Sequence, residues 1–399
     1  MQRSTLWLSA LFIATLAIGT DEFVIAGVLT TVSDDLSVTA GRAGQLVTAF
    51  ALSFALSAPA LAVWLDRHPR RTVLLGGLAT FALTNIGCAV APDFTTLLVL
   101  RVSAGVSAAA VSTTAFAAAA EGAPEGRQGT YLSVVAAGLT VALFSGVPVG
   151  TWIAGAVSWR STFAFIALAA FVAAMMSLTL PRLPGSPSDT LSLVVRLAPL
   201  RTMGVLRMVA AIFFCGAGGL MFYTYLGPIA WHTIGDDDPL PLLLLIVGLV
   251  GVISVIAGGR LTDSIGPRRA RLAIIGGHAA ALILNGILVL AGAPMWAFAL
   301  GIGVWSVFAW ALNPPMQAST IAAAPTAAMT AVSLNISGLY LGTALAGALG
   351  GVTLDRFGPT ALPFIGAAAL VAAWLLAAPH IKEPTSAALP RCRAGEALT

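Results

Sequence analysis

Apolar runs long enough to cross a bilayer follow one another along almost the whole chain, separated only by short stretches containing Pro, Gly and charge. A spanning helix takes roughly 20 residues. The runs lie near 6–30, 44–65, 72–92, 96–120, 129–157 and 162–180, and again near 205–231, 241–262, 272–292, 296–323, 329–353 and 361–379. Twelve such spans use on the order of 240 to 300 residues, which leaves loops and tails but no soluble domain. Hydrophobic residues make up 58% of the chain and charged residues 9%, against about 25% charged in soluble domains. An ordinary water-soluble enzyme is excluded. The first run follows Arg3 and continues to Leu29 without a small-residue cleavage site, so it reads as a retained span and not as a signal peptide. The expected fold is an all-α membrane protein of twelve transmembrane helices.

The longest break, 181–204, contains Pro181, Pro184, Gly185, Pro187 and Pro199 and divides the chain into 1–180 and 205–379, with a tail at 380–399. The two halves match at equivalent topological positions. Asp66 to Arg71 reads Asp-Arg-His-Pro-Arg-Arg after the second run, and Asp263 to Arg269 reads Asp-Ser-Ile-Gly-Pro-Arg-Arg after the eighth, an offset of 197 residues. Arg160 and Arg356 are related by an offset of 196. Parallel six-helix repeats of this kind form two pseudo-symmetric bundles with the transport path between them. Basic residues resist translocation, and fifteen of the twenty fall on the side of the termini and the linker, against Arg42, Arg160 and Arg356 on the other. Both termini and the linker are therefore expected in the cytoplasm.

The net charge of +4 has no basic cluster or aromatic-rich basic stripe behind it, so no nucleic-acid partner is expected. Cys88, Cys215 and Cys392 have no ligand-type spacing, and neither disulfide nor metal site is expected. The four histidines are dispersed, which leaves no cluster for catalysis. A phosphate-cradling Gly-x-x-x-x-Gly-Lys loop is missing from the sequence, which argues against an ATP-driven pump, and no cofactor is expected.

Acids within the runs are confined to Asp21 and Glu22, and Arg101 is the embedded cation. A charge at the bilayer centre costs about 3 kcal/mol on insertion scales, so such residues face a cavity or a partner. Adjacent residues point about 100° apart on a helix, so the two acids occupy different environments. Arg101 and Glu22 lie at compatible depths for contact, roughly 8 and 12 Å inside the same membrane face. In the fifth run, Gly146 and Gly150 share a helix face and Pro148 can bend the helix.

Five stretches resemble the major facilitator superfamily, and more narrowly its twelve-span drug:proton antiporters, which include chloramphenicol-type and sugar-efflux exporters. They are Gly19-Thr20-Asp21-Glu22-Phe23-Val24, the Asp66 and Asp263 loops, Arg101 with Gly105, the Gly- and Pro-rich fifth run, and Tyr223-Thr224-Tyr225-Leu226-Gly227-Pro228. The resemblance covers essentially the whole length. It implies a proton-coupled exporter in a bacterial cytoplasmic membrane, with lipid, protons and a small molecule as its partners; a functional monomer is expected. The alternatives are a sugar or metabolite exporter, an uncoupled facilitator or importer, and a non-transporting receptor of the same fold. The resemblance matches Glu22 to the family's acid and Asp21 to its variable position, so Glu22 is the expected proton-coupling carboxylate and Asp21 the next candidate. Because a nearby cation favours an ionised carboxylate, Arg101 is expected to set the proton affinity. It makes Asp66, Arg67, Arg70, Arg71, Asp263, Arg268 and Arg269 a cytoplasmic gate, with Ala62 and Pro69 departing from its glycines. It makes Gly146, Pro148 and Gly150 an antiporter motif, broken at Val147. Tyr223, Tyr225, Trp305, Trp310, Asn313 and Asn335 are polar or aromatic residues of the second half placed to line a substrate cavity. His278 is expected to pack.

Overall fold

A computed structural model describes residues 2–65, 67–181, 183, 197–235 and 238–379. Most of the expected linker, the expected tail and Asp66 fall outside the described residues. Span 1 is formed by Gln2–Phe23 and Ile25–Asp35, span 2 by Gln45–Leu65, span 3 by Arg70–Ala89 and span 4 by Phe94–Gly122. Span 5 comprises Gln128–Val141, a π-helical turn at Ala142–Gly146, and Val147–Ala156; span 6 is Trp159–Ser177. Span 7 comprises Met203–Thr224 and Leu226–Ile234, followed by span 8 (Leu240–Ile265) and span 9 (Pro267–Leu290). Span 10 comprises Met295–Ala311 and Asn313–Ala323, span 11 is Ala328–Phe357, and span 12 is Ala361–Ala377. Eleven of these are long and apolar enough to cross a membrane, and the last is a shorter apolar helix of the same kind. The sequence places all twelve, but it ends span 1 at residue 30 and span 11 at 353, where the helices continue to Asp35 and Phe357.

Two bundles with the same internal pairing result. Spans 1 and 5, 1 and 6, 2 and 4, 3 and 4, and 3 and 6 pack together in the first. The second repeats each pair six spans later: 7 with 11, 7 with 12, 8 with 10, 9 with 10, and 9 with 12. Between bundles, span 2 packs on span 11 and span 5 on span 8, which is one contact made twice about a pseudo-two-fold axis. Large apolar side chains stay exposed on the outside, and Trp64, Trp152, Trp231 and Trp296 are exposed near span ends, where amphipathic rings suit the membrane interface.

Small residues set how closely these spans approach. Apolar burial alone does little to join helices in lipid, so interfaces rely on close backbone packing. Thr15 of span 1 donates to the Val135 carbonyl of span 5 at 2.7 Å, and Gly138 packs on Thr15 and the Phe12 carbonyl. A Cβ at Gly146 would overlap Thr20, and one at Gly19 would lie 2.9 Å from the Ala142 Cβ. Gly138→Ala should therefore lower stability by about 1–3 kcal/mol through overpacking. Gly155, with nothing within 4 Å of an added Cβ, should tolerate the same change within about 0.5 kcal/mol. Thermal unfolding of the two purified variants checks the contrast, and equal melting points would contradict it.

The face opposite the termini and linker, the far face, is closed. Gly347 and Gly351 of span 11 pack on the backbone of Gly44 and Gly41, in the short segment that leads into span 2. Thr39 donates to Asp355 Oδ2 at 3.0 Å, and Tyr225 donates to the Gly347 carbonyl at 2.6 Å. Asp93 caps span 4 there, and the Thr96 N–H and hydroxyl hold its carboxyl below the ordinary carboxylate range.

Candidate functional site

Span 1 breaks at Val24, between helices ending at Phe23 and starting at Ile25. Asp21 and Glu22 occupy the last turn before the break and, as the helical angle between neighbours requires, point to different places. Asp21 faces into the first bundle. Arg101 Nη1 of span 4 donates to its Oδ1 at 2.7 Å, both side chains fully buried, and Nη2 reaches the Asp21 carbonyl at 3.2 Å. The guanidinium lies over the Phe50 ring at 4.5 Å and near the Phe163 ring at 5.9 Å. The expected contact between Arg101 and Glu22 is thus made with Asp21 instead. Depth is equal for both acids, and the rotation of span 1, fixed by its seam with span 5, chooses between them.

Glu22 faces the interface between bundles. Tyr340 of span 11 donates its hydroxyl to Glu22 Oε2 at 2.8 Å. Next to it, Phe23 makes edge contacts with Tyr223 (5.8 Å) and Trp310 (5.6 Å), and Tyr223 donates to the Phe23 carbonyl at 3.3 Å. A narrow pocket lies among these spans, lined by Glu22, Phe23, Ala26, Val47, Leu220, Tyr223, Thr224 and Thr343. It brings together one carboxylate, apolar walls, an aromatic hydroxyl and two threonines, residue types that suit a mostly apolar molecule, around a space that in this conformation holds no more than about one water.

Of the cavity residues expected from sequence, Tyr223 lines this pocket and Trp310 packs directly behind it. The others lie elsewhere. Trp305 is buried and stacks on the outer side of Tyr223 at 6.3 Å. Tyr225, after the break in span 7, is wedged against Gly44 and Gly350 in the closed far face. Asn335 donates to Thr320 Oγ1 at 3.2 Å between spans 10 and 11, and Asn313 starts the second helix of span 10. His278 is buried between Gly219 and Trp305. Sequence reasoning missed Tyr340, Thr343 and Phe23. A tyrosine in mid-span, well away from the interface belts, was the available signal for Tyr340.

Span 5 meets span 8 at its π-helical turn. Pro148 has no N–H to offer the Phe144 carbonyl, which removes one α-helical bond and favours the wider turn. Gly248 of span 8 sits against the backbone of Leu143 and Phe144 there. Gly146 and Gly150 face span 1 instead, against Thr20 and Val24.

At the linker face, Arg70 is buried and forks onto Glu121 at the end of span 4, with Nη2 to Oε1 at 2.7 Å and Nε to both oxygens at 3.1 and 3.2 Å. Glu121 was not anticipated from the sequence. Arg67 is exposed and Arg71 half-buried. In the second copy, Arg268 donates to the Ala378 carbonyl at 3.0 Å, while Asp263 and Arg269 are exposed. Arg271, also unanticipated, is buried and donates to the Ala377 carbonyl (2.9 and 3.1 Å) and Ser319 Oγ (2.8 Å). It thereby satisfies carbonyls left open where span 12 ends. Gly266 turns the second loop with φ of +82°, a conformation that Pro69 in the first copy, at −56°, cannot adopt.

Comparison with known proteins agrees with this architecture. Residues 11–330 match the family model described as Major Facilitator Superfamily. The chain is 30% identical over 359 residues to the MFS-type transporter YbcL of Bacillus subtilis, covering 90% of this chain and 91% of that protein. It is 28% identical to the inner membrane transport protein YdhP of Escherichia coli K12 (90% and 92% covered) and 29% identical to a chloramphenicol resistance protein of Streptomyces lividans (95% and 97% covered). The fold is similar to a bacterial homologue of the human lysosomal transporter Spinster, solved inward-facing and occupied, with a TM-score of 0.71 at 17% identity and 94% and 95% coverage. The matched family, the two bundles and the relatives named as transporters lead to one conclusion: the chain belongs to the Major Facilitator Superfamily and is a multi-pass membrane transporter, not an enzyme.

Proposed function

We propose that the protein is a proton-coupled exporter of small lipophilic molecules, neutral or monocationic, that works by alternating access. The observation that carries this reading is Glu22, an intramembrane carboxylate that lines the pocket between bundles and is bonded across them to Tyr340. A proton and a substrate would meet the same group, which is the simplest way to make one exchange for the other. Polyanions are disfavoured, because they would approach the Glu22 carboxylate while Arg101 is engaged with Asp21. The similarity to a chloramphenicol resistance protein supports amphenicol-like cargo.

The driving force is adequate. One proton crossing 100 mV yields about 2.3 kcal/mol and a tenfold gradient costs about 1.4 kcal/mol, so one proton sustains a roughly fifty-fold gradient of a neutral solute. The test is efflux from proteoliposomes with an imposed pH gradient, over a panel of amphenicols, lipophilic cations and sugars. Uphill movement of an amphenicol or a cation that stops when the gradient is collapsed is the expected result. Saturable transport of a dicarboxylate or a phosphorylated compound, or flux indifferent to the gradient, would overturn the assignment.

Direction of export requires both termini in the cytoplasm, the orientation that the division of basic residues favours. A C-terminal fluorescent-protein fusion should be active and a C-terminal alkaline-phosphatase fusion inactive. The opposite pattern would reverse the topology and turn the closed far face toward the cytoplasm.

A further inference from the structure

Tyr340 belongs to the second bundle by sequence and to the first by contact. Its ring lies on Phe54 of span 2, with centroids 4.0 Å apart and planes 14° from parallel. Its hydroxyl donates to Glu22 of span 1 at 2.8 Å. The side chain is therefore a bridge between bundles whose strength depends on the charge of one group. The other charged and titratable groups around Glu22 are Asp21 of span 1 and Arg101 of span 4, which bind each other, and Tyr223 of span 7, whose hydroxyl points to the Phe23 carbonyl.

We propose that Tyr340 is the positioning residue that keeps the empty carrier from reorienting, by holding Glu22 across the bundle interface until a proton or a substrate takes its place. This rests on the reading of Glu22 as the proton carrier. Exchange of one cargo for the other requires that the carrier does not cross empty; if it did, protons would leak without substrate. A hydrogen bond to an ionised carboxylate is roughly twice as strong as one to a neutral acceptor. Empty, ionised Glu22 thus holds Tyr340 firmly, in the conformation whose far face is closed. Protonation removes the charge and weakens the bridge. A substrate in the pocket, which is lined by Glu22 and by Thr343 on the same span as Tyr340, competes for the same carboxylate. Either cargo releases the same tether, and the unloaded state keeps it.

The experiment follows protons alone, with the full chain in proteoliposomes, a trapped pH-sensitive dye, an imposed pH gradient and no substrate. Tyr340→Phe keeps the ring on Phe54 and removes the hydroxyl. Its leak should exceed that of the wild type about tenfold, equivalent to about 1.4 kcal/mol. The double variant Tyr340→Phe/Glu22→Gln should return to the wild-type rate, because the leaking proton rides on Glu22. A residue that only packs would not produce a proton leak that replacing the carboxyl of its hydrogen-bond partner Glu22 abolishes. A Tyr340→Phe leak equal to the wild type overturns the tether and leaves Glu22 to its own test. A leak that persists in the double variant places the proton on another path and overturns both.

Discussion

Arg101→Ala should lower the stability of the protein by about 3–5 kcal/mol, the cost of leaving one partner of a buried ion pair uncompensated. Asp21 and Arg101 are both fully buried. Their Oδ2 and Nε atoms have no hydrogen-bond partner among the described residues, so each charge depends on the other, on the Asp21 carbonyl, and on the Phe50 and Phe163 rings. Removing the cation leaves a carboxylate buried between spans 1 and 4 without its counter-charge. Asp21→Asn should destabilise by less, since the amide oxygen and the backbone carbonyl still accept from the guanidinium. In the double variant Asp21→Asn/Arg101→Leu neither charge remains, and most of the loss should be recovered. Thermal unfolding in detergent measures all three. Melting of Arg101→Ala at the wild-type temperature would show that the pair is not what joins these spans, and failure of the double variant to recover would place the loss in packing and not in charge.

The same pair shows how far the sequence could be read. Span positions were legible because a bilayer imposes a length on any apolar run, and the repeat was legible because both loops after spans 2 and 8 kept an Asp-to-Arg pattern. The depth of Arg101 could be counted from its helix end. Which acid it meets could not, because a rotation of span 1 by about 100° exchanges Asp21 for Glu22. That rotation is set by where Thr15, Gly19 and Thr20 sit against span 5, a contact across more than a hundred residues. The Glu22 partner is 318 residues away in sequence; its mid-span position marks Tyr340 as unusual, but nothing local says which group it meets. Tyr225 misled for the opposite reason. It sits in the stretch Tyr223 to Pro228, two residues from a true pocket residue, but the helix breaks there and turns its ring into the Gly44 and Gly350 seam. At the linker face the basic pattern was plain, whereas the partners are Glu121 and the carbonyls that end span 12, neither of which carries a motif.

The largest functional effect is expected from Glu22→Gln, which should reduce uphill efflux to the level of vesicles without protein while leaving the fold intact. Glutamine matches the side chain in size, and its amide oxygen still accepts from the Tyr340 hydroxyl, so the bridge to span 11 survives in its weaker, neutral form. What disappears is titration. No proton can be taken up on one side and released on the other, so a substrate gradient can run down through the variant but cannot be built. Melting temperature should change little, in contrast to Arg101→Ala, because the partner of Glu22 is the neutral Tyr340 hydroxyl and the change leaves no buried charge without its counter-ion. The two neighbouring acids thus separate by kind of failure: loss at position 21 is read in stability, and loss at position 22 in coupling. Proteoliposomes carrying each variant, followed for substrate and proton flux together, test the separation. Coupled efflux at the wild-type rate by Glu22→Gln would remove this carboxylate as the carrier. A variant that still exchanges substrate across the membrane but ignores the proton gradient is the outcome expected from the proposal that Glu22 carries the proton.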